Sequence, residues 1–170
     1  VTFVVVAGCT VFTFAQFHPG LLFSDTTPTG GDMGAHVWGP AYLRDELLPK
    51  FRLTGWAPDW YAGFPAYNFY MVLPALAVVL ADLVLPYGVA LKLVSISGVL
   101  TLPLCTWAFG RLAGLKPPYP ALMAVAATWF LFDESFTIYG GNIASTMAGE
   151  YSFSIALSLA MVYLGLLVRG

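Results

Sequence analysis

Five almost wholly apolar stretches alternate with polar segments along the chain. They are Val1–Phe17, Tyr67–Leu85, Val89–Phe109, Ala121–Phe132 and Tyr151–Val168. A helix needs about 20 apolar residues to cross the hydrocarbon core of a bilayer. The last stretch carries no charge, whereas Tyr67–Leu85 contains Pro74 and Asp82 and Ala121–Phe132 is short. The pattern predicts a bundle of membrane helices in which these two stretches are the weakest spans.

The composition supports a lipid environment. Hydrophobic residues make up 59% of the chain and charged residues 9%, and the mean hydropathy is +0.79. A water-soluble domain has about 25% charged residues, because charge covers its outer surface. No basic run is present, so we expect no nucleic-acid partner. Val1 already lies in an apolar run, and we expect residues 1–170 to be an N-terminal module of a longer membrane protein.

The basic residues predict an orientation. Arg111 and Lys116 flank a short connection, and Arg169 follows the last apolar stretch. Basic residues concentrate on the cytoplasmic side of membrane proteins. The loop His18–Ala66 is net acidic, and the segment Asp133–Glu150 has no basic residue. We therefore expect both of these segments on the extracytoplasmic side.

These placements conflict with the number of apolar stretches. Three stretches separate the two segments that are expected outside, but only an even number of crossings returns a chain to one side. Either Tyr67–Leu85 or Ala121–Phe132 does not cross, or one of the segments is misplaced. The sequence leaves these alternatives open.

The polar loop His18–Ala66 contains a candidate catalytic pair. Gly30 and Gly31 permit an unusual backbone path before Asp32, which is a good helix N-cap. We predict a helix from there to Pro49. Asp32 and His36 are four residues apart and share a face of that helix. Asp32 then acts as a general base or metal ligand with His36 as its partner; the alternative is a capping aspartate and an interfacial histidine.

A second part of the loop is rich in aromatic residues. Trp56, Asp59, Trp60 and Tyr61 follow Arg52 within ten positions, among turn-forming glycines and prolines. Aromatic faces and carboxylates together can stack on a sugar ring and bind its hydroxyls. Aromatic residues are also what a loop needs to rest on lipid headgroups, and this interpretation stays open.

Several of these segments together resemble a known family. They are Gly30–His36, Leu43-Arg44-Asp45, Leu53–Trp56, Asp59–Pro65, Phe69–Pro74 and Gly149–Ser154. The pattern resembles the bacterial membrane proteins labelled "6-pyruvoyl-tetrahydropterin synthase related". These are in turn similar to GT-C glycosyltransferases, including the actinobacterial arabinofuranosyltransferases. The resemblance covers nearly the whole chain.

The resemblance implies a fold and an activity. The fold is an all-α, polytopic transmembrane bundle with a GT-C-like N-terminal module and interfacial helices in its first extracytoplasmic loop. The activity is inverting transfer of a sugar from a polyprenyl-phosphate donor to a cell-envelope glycan or lipid acceptor. The protein would lie in the plasma (inner) membrane with its active loop outside. Asp32 matches the catalytic aspartate of the family, and His36 lies where related loops carry a second polar residue.

The residue types add candidates for binding such a donor. Arg44 and Arg52 are available to bind its phosphate, and the aromatic segment Trp56–Tyr61 could bind the sugar. The resemblance implies that Asp133, Glu134 or Glu150 supplies the acid that some members carry in a second loop. We expect no fixed cofactor, although a divalent metal ion could lie on Asp32, Asp133 and Glu134. No Asp-x-Asp pair accompanies them, which argues against a metal requirement.

Two other functions fit a membrane chain of this composition. A transporter or lipid flippase would carry ionisable residues within its spans, whereas the acids here concentrate in loops and at the ends of apolar stretches. A non-catalytic membrane subunit of an envelope-assembly complex would use the loop only to bind a partner. Replacement of Asp32 separates that possibility from an enzyme.

Overall fold

The computed structural model describes residues 2–135 and 137–170, so Val1, the predicted start of the first apolar stretch, lies outside the described residues. The helices are α1 (Thr2–Gln16), α2 (Pro19–Leu22), α3 (Met33–Tyr42), α4 (Val72–Asp82), α5 (Tyr87–Leu112), α6 (Tyr119–Leu131), α7 (Ile143–Ser145) and α8 (Tyr151–Arg169). The strands β1 (Gly55–Ala57) and β2 (Phe64–Ala66) form a hairpin. Wide π-helical turns occupy Leu43–Leu47 and Thr146–Glu150, and a 3-10 turn occupies Leu48–Lys50.

The chain divides into two compact units. The helical unit comprises Val1–Phe23 and Ser95–Gly170, and the hairpin unit comprises Ser24–Val94. Helix α5 begins in the hairpin unit and ends in the helical unit. Each unit has its own buried apolar core.

The prediction of a polytopic GT-C-like transmembrane bundle is wrong. Within the described residues, two helical segments are long and apolar enough to cross a membrane, Tyr87–Leu112 and Ile143–Arg169. The second is interrupted at Gly149, whose φ is 127°. Helices α1, α4 and α6 have 15, 11 and 13 residues. At 1.5 Å per residue they are about 22, 16 and 20 Å long, short of the roughly 30 Å hydrocarbon core.

In the helical unit, α5 and α8 run parallel and their backbones touch. A Cβ atom added at Gly98 would lie 2.3 Å from the backbone nitrogen of Ile155. The Ser158 hydroxyl donates to the Gly98 carbonyl over 2.7 Å. Further along both helices, a Cβ atom at Gly165 would lie 3.0 Å from Cβ of Leu112. The missing side chain of Gly98 permits this close approach of the two helices.

Helix α6 runs antiparallel to α5. Its first turn lies against Gly110, since a Cβ atom there would be 3.2 Å from Cα of Pro120. Its last residue, Leu131, packs with Ile96 and Val99 in the main core of the unit. Helix α1 packs along α6, and the rings of Phe12 and Phe132 lie 5.4 Å apart.

The hairpin unit is built around α3 and the turns that continue it. Helical structure runs without a break from Met33 to Lys50, which confirms the helix predicted between Asp32 and Pro49. The α-helical hydrogen-bond pattern changes to a π-helical one at Leu43. Pro40, three residues earlier, has no N–H to donate. Helix α4 packs against this wide turn through a core of Leu43, Leu47, Ala75 and Val79.

Candidate functional site

The candidate catalytic carboxylate lies at the first turn of α3. Gly30 and Gly31 have φ values of 97° and 50°, a left-handed backbone that glycine adopts without steric cost. This turn places Asp32 at the N-cap, where its backbone carbonyl accepts from the N–H of Ala35 over 3.0 Å. The predicted capping bond from the Asp32 side chain is absent. The carboxylate is exposed, and within residues 2–135 and 137–170 it has neither a hydrogen bond nor an ion pair.

His36 follows one turn later on the same helix. Its imidazole is half-buried and meets the ring of Tyr70 edge-on, with centroids 6.1 Å apart at 68°. Asp32 and His36 therefore occupy successive turns at the start of α3, as their spacing predicts. A carboxylate and an imidazole on one helical face are groups that enzymes use as general acids and bases.

An aromatic cluster joins α3 to the hairpin. Trp38 stacks on Tyr42 with centroids 4.8 Å apart and contacts Trp60 at 5.0 Å. Trp60 also packs on Phe64, 5.9 Å away. The Tyr42 hydroxyl donates to the Trp56 carbonyl over 2.9 Å. Trp60, predicted to bind sugar, is thus half-buried within the structural cluster, and its partners Trp38, Tyr42 and Phe64 were not singled out from the sequence.

The hairpin presents the other predicted sugar-binding residues to solvent. Trp56 pairs with Pro65 across the two strands and is 63% exposed. Its indole lies so close to Gly63 that a Cβ atom there would be 2.2 Å from the ring. Tyr61 is 96% exposed with a φ of 50°, and Asp59 is exposed. Exposed ring faces next to a carboxylate are suited to stacking on a sugar and binding its hydroxyls.

The two arginines of the predicted site differ in their surroundings. Arg44 binds Asp45 through two bonds of 2.7 and 2.8 Å and Asp82 through one of 2.5 Å. Its guanidinium also lies 5.4 Å from the centre of the Tyr87 ring. Arg44 therefore ties the wide turn to α4 and α5, and its charge is already compensated.

The ion pair shifts the pKa values of its members. Hydrogen bonds to Asp45 and Asp82 raise the pKa of Arg44, and the bond from Arg44 lowers the pKa of Asp45. Arg52 by contrast is exposed and has no side-chain partner in the described part of the chain. Of the two arginines predicted to bind phosphate, Arg52 is the one with an uncompensated charge.

Lys92 is a polar group of this unit that sequence reasoning missed. It lies in the second turn of α5, and its ammonium donates to the Ser24 carbonyl over 2.7 Å and to the Thr26 hydroxyl over 3.2 Å. A lone lysine within an apolar stretch was the available signal. Because the loop supplies oxygen acceptors, Lys92 anchors the beginning of the hairpin unit to α5.

The remaining predicted acids, Asp133, Glu134 and Glu150, belong to the helical unit. Asp133 accepts from the Ser135 N–H over 2.9 Å and from the Tyr139 hydroxyl over 3.1 Å, and the Ser135 bond is the main cause of its lowered pKa. Glu134 and Glu150 are exposed. Among the described residues, no three His, Cys, Asp or Glu side chains form a group that could hold a metal ion. The metal site considered for Asp32, Asp133 and Glu134 therefore gains no support.

No protein-family model, curated protein or solved structure matches the chain. The function must consequently be argued from the site, and the family resemblance stays a prediction.

Proposed function

We propose that the protein is a membrane-bound glycosyltransferase that moves a sugar from a polyprenyl-phosphate donor to a cell-envelope acceptor. One observation carries the proposal: Asp32 is an exposed, unengaged carboxylate one turn from His36. Asp45 and Asp82 in the same unit are bound to Arg44. A carboxylate without a partner is free to accept a proton from a substrate.

The proposed reaction assigns a role to each group. Asp32 takes the proton of an acceptor hydroxyl, whose oxygen then forms a bond to the anomeric carbon of the sugar. The bond from that carbon to the donor phosphate breaks, and the lipid phosphate leaves with the electron pair. Attack opposite to the leaving group inverts the anomeric centre. His36 positions the acceptor, and Arg52 binds the phosphate as a charge-assisted donor.

The hairpin supplies the sugar-binding surface in this proposal. Trp56 and Tyr61 expose aromatic faces, and Asp59 offers a carboxylate on the same short loop. Holding the sugar in one orientation turns a bimolecular encounter into a positioned reaction, which accounts for a large part of enzymatic acceleration.

The two long apolar helices support a membrane location. Because α5 and α8 run parallel, Arg111 and Arg169 lie at the same end of the pair. By the positive-inside tendency, we place that end in the cytoplasm of a plasma membrane. Helix α4, which precedes α5, has only 11 residues and does not span the hydrocarbon core. The hairpin unit, which leads directly into the beginning of α5, then lies outside, where a lipid-linked sugar is presented.

A transporter is less well supported. Helices α5 and α8 contain no Asp or Glu, and Lys92 in α5 is bonded to the loop. Coupled transport uses ionisable groups within the spans.

Asp32→Asn tests the proposal in the full-length protein. Membrane vesicles would receive a polyprenyl-phosphate donor with a radiolabelled sugar, and transfer to acceptor would be measured. We expect a loss of about 10²- to 10⁴-fold, the usual contribution of a general base. Asp25→Asn, at another exposed acid of the same unit, is the matched control and should leave the rate unchanged. Equal rates in the two variants, at equal protein levels, would contradict the enzyme and favour a binding subunit.

A further inference from the structure

The helical unit contains a cleft between α1 and α5 that the proposed reaction does not use. Its volume is about 580 Å³, within the range of ligand pockets. The walls are apolar and include Val6, Val11, Leu104 and Pro120. An apolar cleft beside a helix of spanning length is accessible to the hydrocarbon chains of a bilayer.

Two residues of α5 with polar side-chain groups line this cleft. Trp107 and Arg111 both line it, and their spacing of four residues places them on one helical face. The indole N–H of Trp107 is buried and has no hydrogen-bond acceptor among the described residues. Arg111 is exposed and has no ion pair within the same residues. Arg111 therefore brings a charge to the cleft that no described acidic side chain compensates.

The chemistry of this site selects an amphiphile. The apolar walls suit an acyl chain, and the exposed Arg111 cation suits an anionic phosphate group. We propose that the cleft binds one anionic phospholipid, with its phosphate on Arg111 and an acyl chain against Val6 and Leu104. The basic end of α5 is where a headgroup of the adjoining leaflet would lie. The inference needs a membrane location but does not depend on sugar transfer.

The experiment measures lipid retention by the full-length protein. Protein in mild detergent would be mixed with equal amounts of phosphatidylglycerol and phosphatidylcholine and examined by native mass spectrometry. We expect one phosphatidylglycerol per protein, retained at least about tenfold better than phosphatidylcholine, as one charge-assisted bond would give. Soluble glycerol phosphate should not displace it, because the acyl chain contributes to binding. Equal retention of the two lipids, or displacement by glycerol phosphate, would overturn the proposal.

Variants locate the site. Arg111→Gln should abolish the preference for phosphatidylglycerol, whereas Arg169→Gln, at an exposed basic residue that does not line the cleft, should keep it. Ala7→Trp fills the cleft from α1 and should reduce retention of phosphatidylglycerol. If Ala7→Trp does not fold, the comparison of Arg111→Gln with Arg169→Gln still tests the site. An identical preference in the Arg111 and Arg169 variants would place the lipid elsewhere and refute the assignment.

Discussion

The helical unit and the hairpin unit use polar groups in opposite ways. In the helical unit, the buried hydroxyls of Thr146 and Ser154 bond to each other, and that of Ser158 bonds to the carbonyl of Gly98. The backbones of α5 and α8 touch there. In the hairpin unit, aromatic stacking and the Arg44 ion pairs hold the elements together. Asp32 remains exposed and unengaged.

The helical unit therefore uses its polar groups in packing, whereas the hairpin unit leaves several polar groups exposed to solvent. Small residues build close helix packing, and such packing leaves few polar groups for a substrate. The hairpin unit is held by a few large side chains and therefore keeps exposed carboxylates, rings and Arg52 available. Each of the following variants tests one side of this comparison.

The largest effect on stability should come from Gly98→Ala. The added Cβ atom would lie 2.3 Å from backbone atoms of Ser154 and Ile155, which cannot rotate away. We expect a loss of about 3 kcal/mol or more in the free energy of unfolding. Gly8→Ala is the control, since no atom lies within 4 Å of its added Cβ, and helix propensity favours alanine there by up to about 1 kcal/mol. Thermal unfolding in detergent would compare the stability of the two variants. Equal stability would contradict the contact between the backbones of α5 and α8 at Gly98.

Trp60→Ala should have the next largest effect. It removes the ring that contacts both Trp38 and Phe64. Because Trp60 is half-buried, we expect a loss of about 2 kcal/mol, below the usual range for a buried tryptophan. Tyr61→Ala, at a side chain that is 96% exposed, should change stability by less than about 0.5 kcal/mol. Denaturant unfolding followed by near-ultraviolet circular dichroism compares them, and a larger loss for Tyr61→Ala would refute the cluster.

The bond between Arg44 and Asp82 should contribute a smaller amount. The Asp82 side chain is only 14% exposed, so removal of its partner leaves a poorly solvated carboxylate. Arg44 is 39% exposed, and we therefore expect a coupling energy of about 1 kcal/mol. A double-mutant cycle with Arg44→Gln and Asp82→Asn measures it. Strictly additive effects would mean that the pair does not stabilise the unit.

The smallest expected effect is the pH dependence at Asp45. Its pKa is lowered from 3.8, mainly by the hydrogen bond from Arg44. The stabilisation is therefore complete above the unfolded-state pKa and is lost as the pH falls through the folded-state value. Wild type should exceed Asp45→Asn by less than about 1 kcal/mol at pH 7, since the pair is exposed. The difference should disappear well below pH 3.8; a difference that persists there would not come from this ion pair.

Local signals predicted part of this structure. Short-range backbone chemistry predicts the glycine turn before Asp32 and the helix that extends to Pro49. The pairing of Arg44 with Asp82 joins residues 38 positions apart, and apolar periodicity contains no information about it. The hairpin was missed because its strands have three residues each, too few for an alternating pattern. The prediction of a polytopic bundle failed because α1, α4 and α6 are apolar but have only 15, 11 and 13 residues, too few to cross a bilayer.

The candidate site was predicted as a set of residue types, without their contacts. Asp32 and His36 lie on one helix as their spacing requires. Arg44 and Trp60 hold elements of the fold together. The prediction missed this role because it selected both residues by chemical type alone. Their partners come from other elements, which a linear pattern does not bring together.

The central claim is that Asp32 lies free on the outer side of the membrane. Asp32→Cys, in a chain with Cys9→Ser and Cys105→Ser, would be treated with an impermeant maleimide in intact cells. Lys116→Cys, in the same background, is the control for the opposite side. We predict labelling at position 32 in intact cells and labelling at position 116 only after permeabilisation. Labelling at position 32 only after permeabilisation would contradict the account.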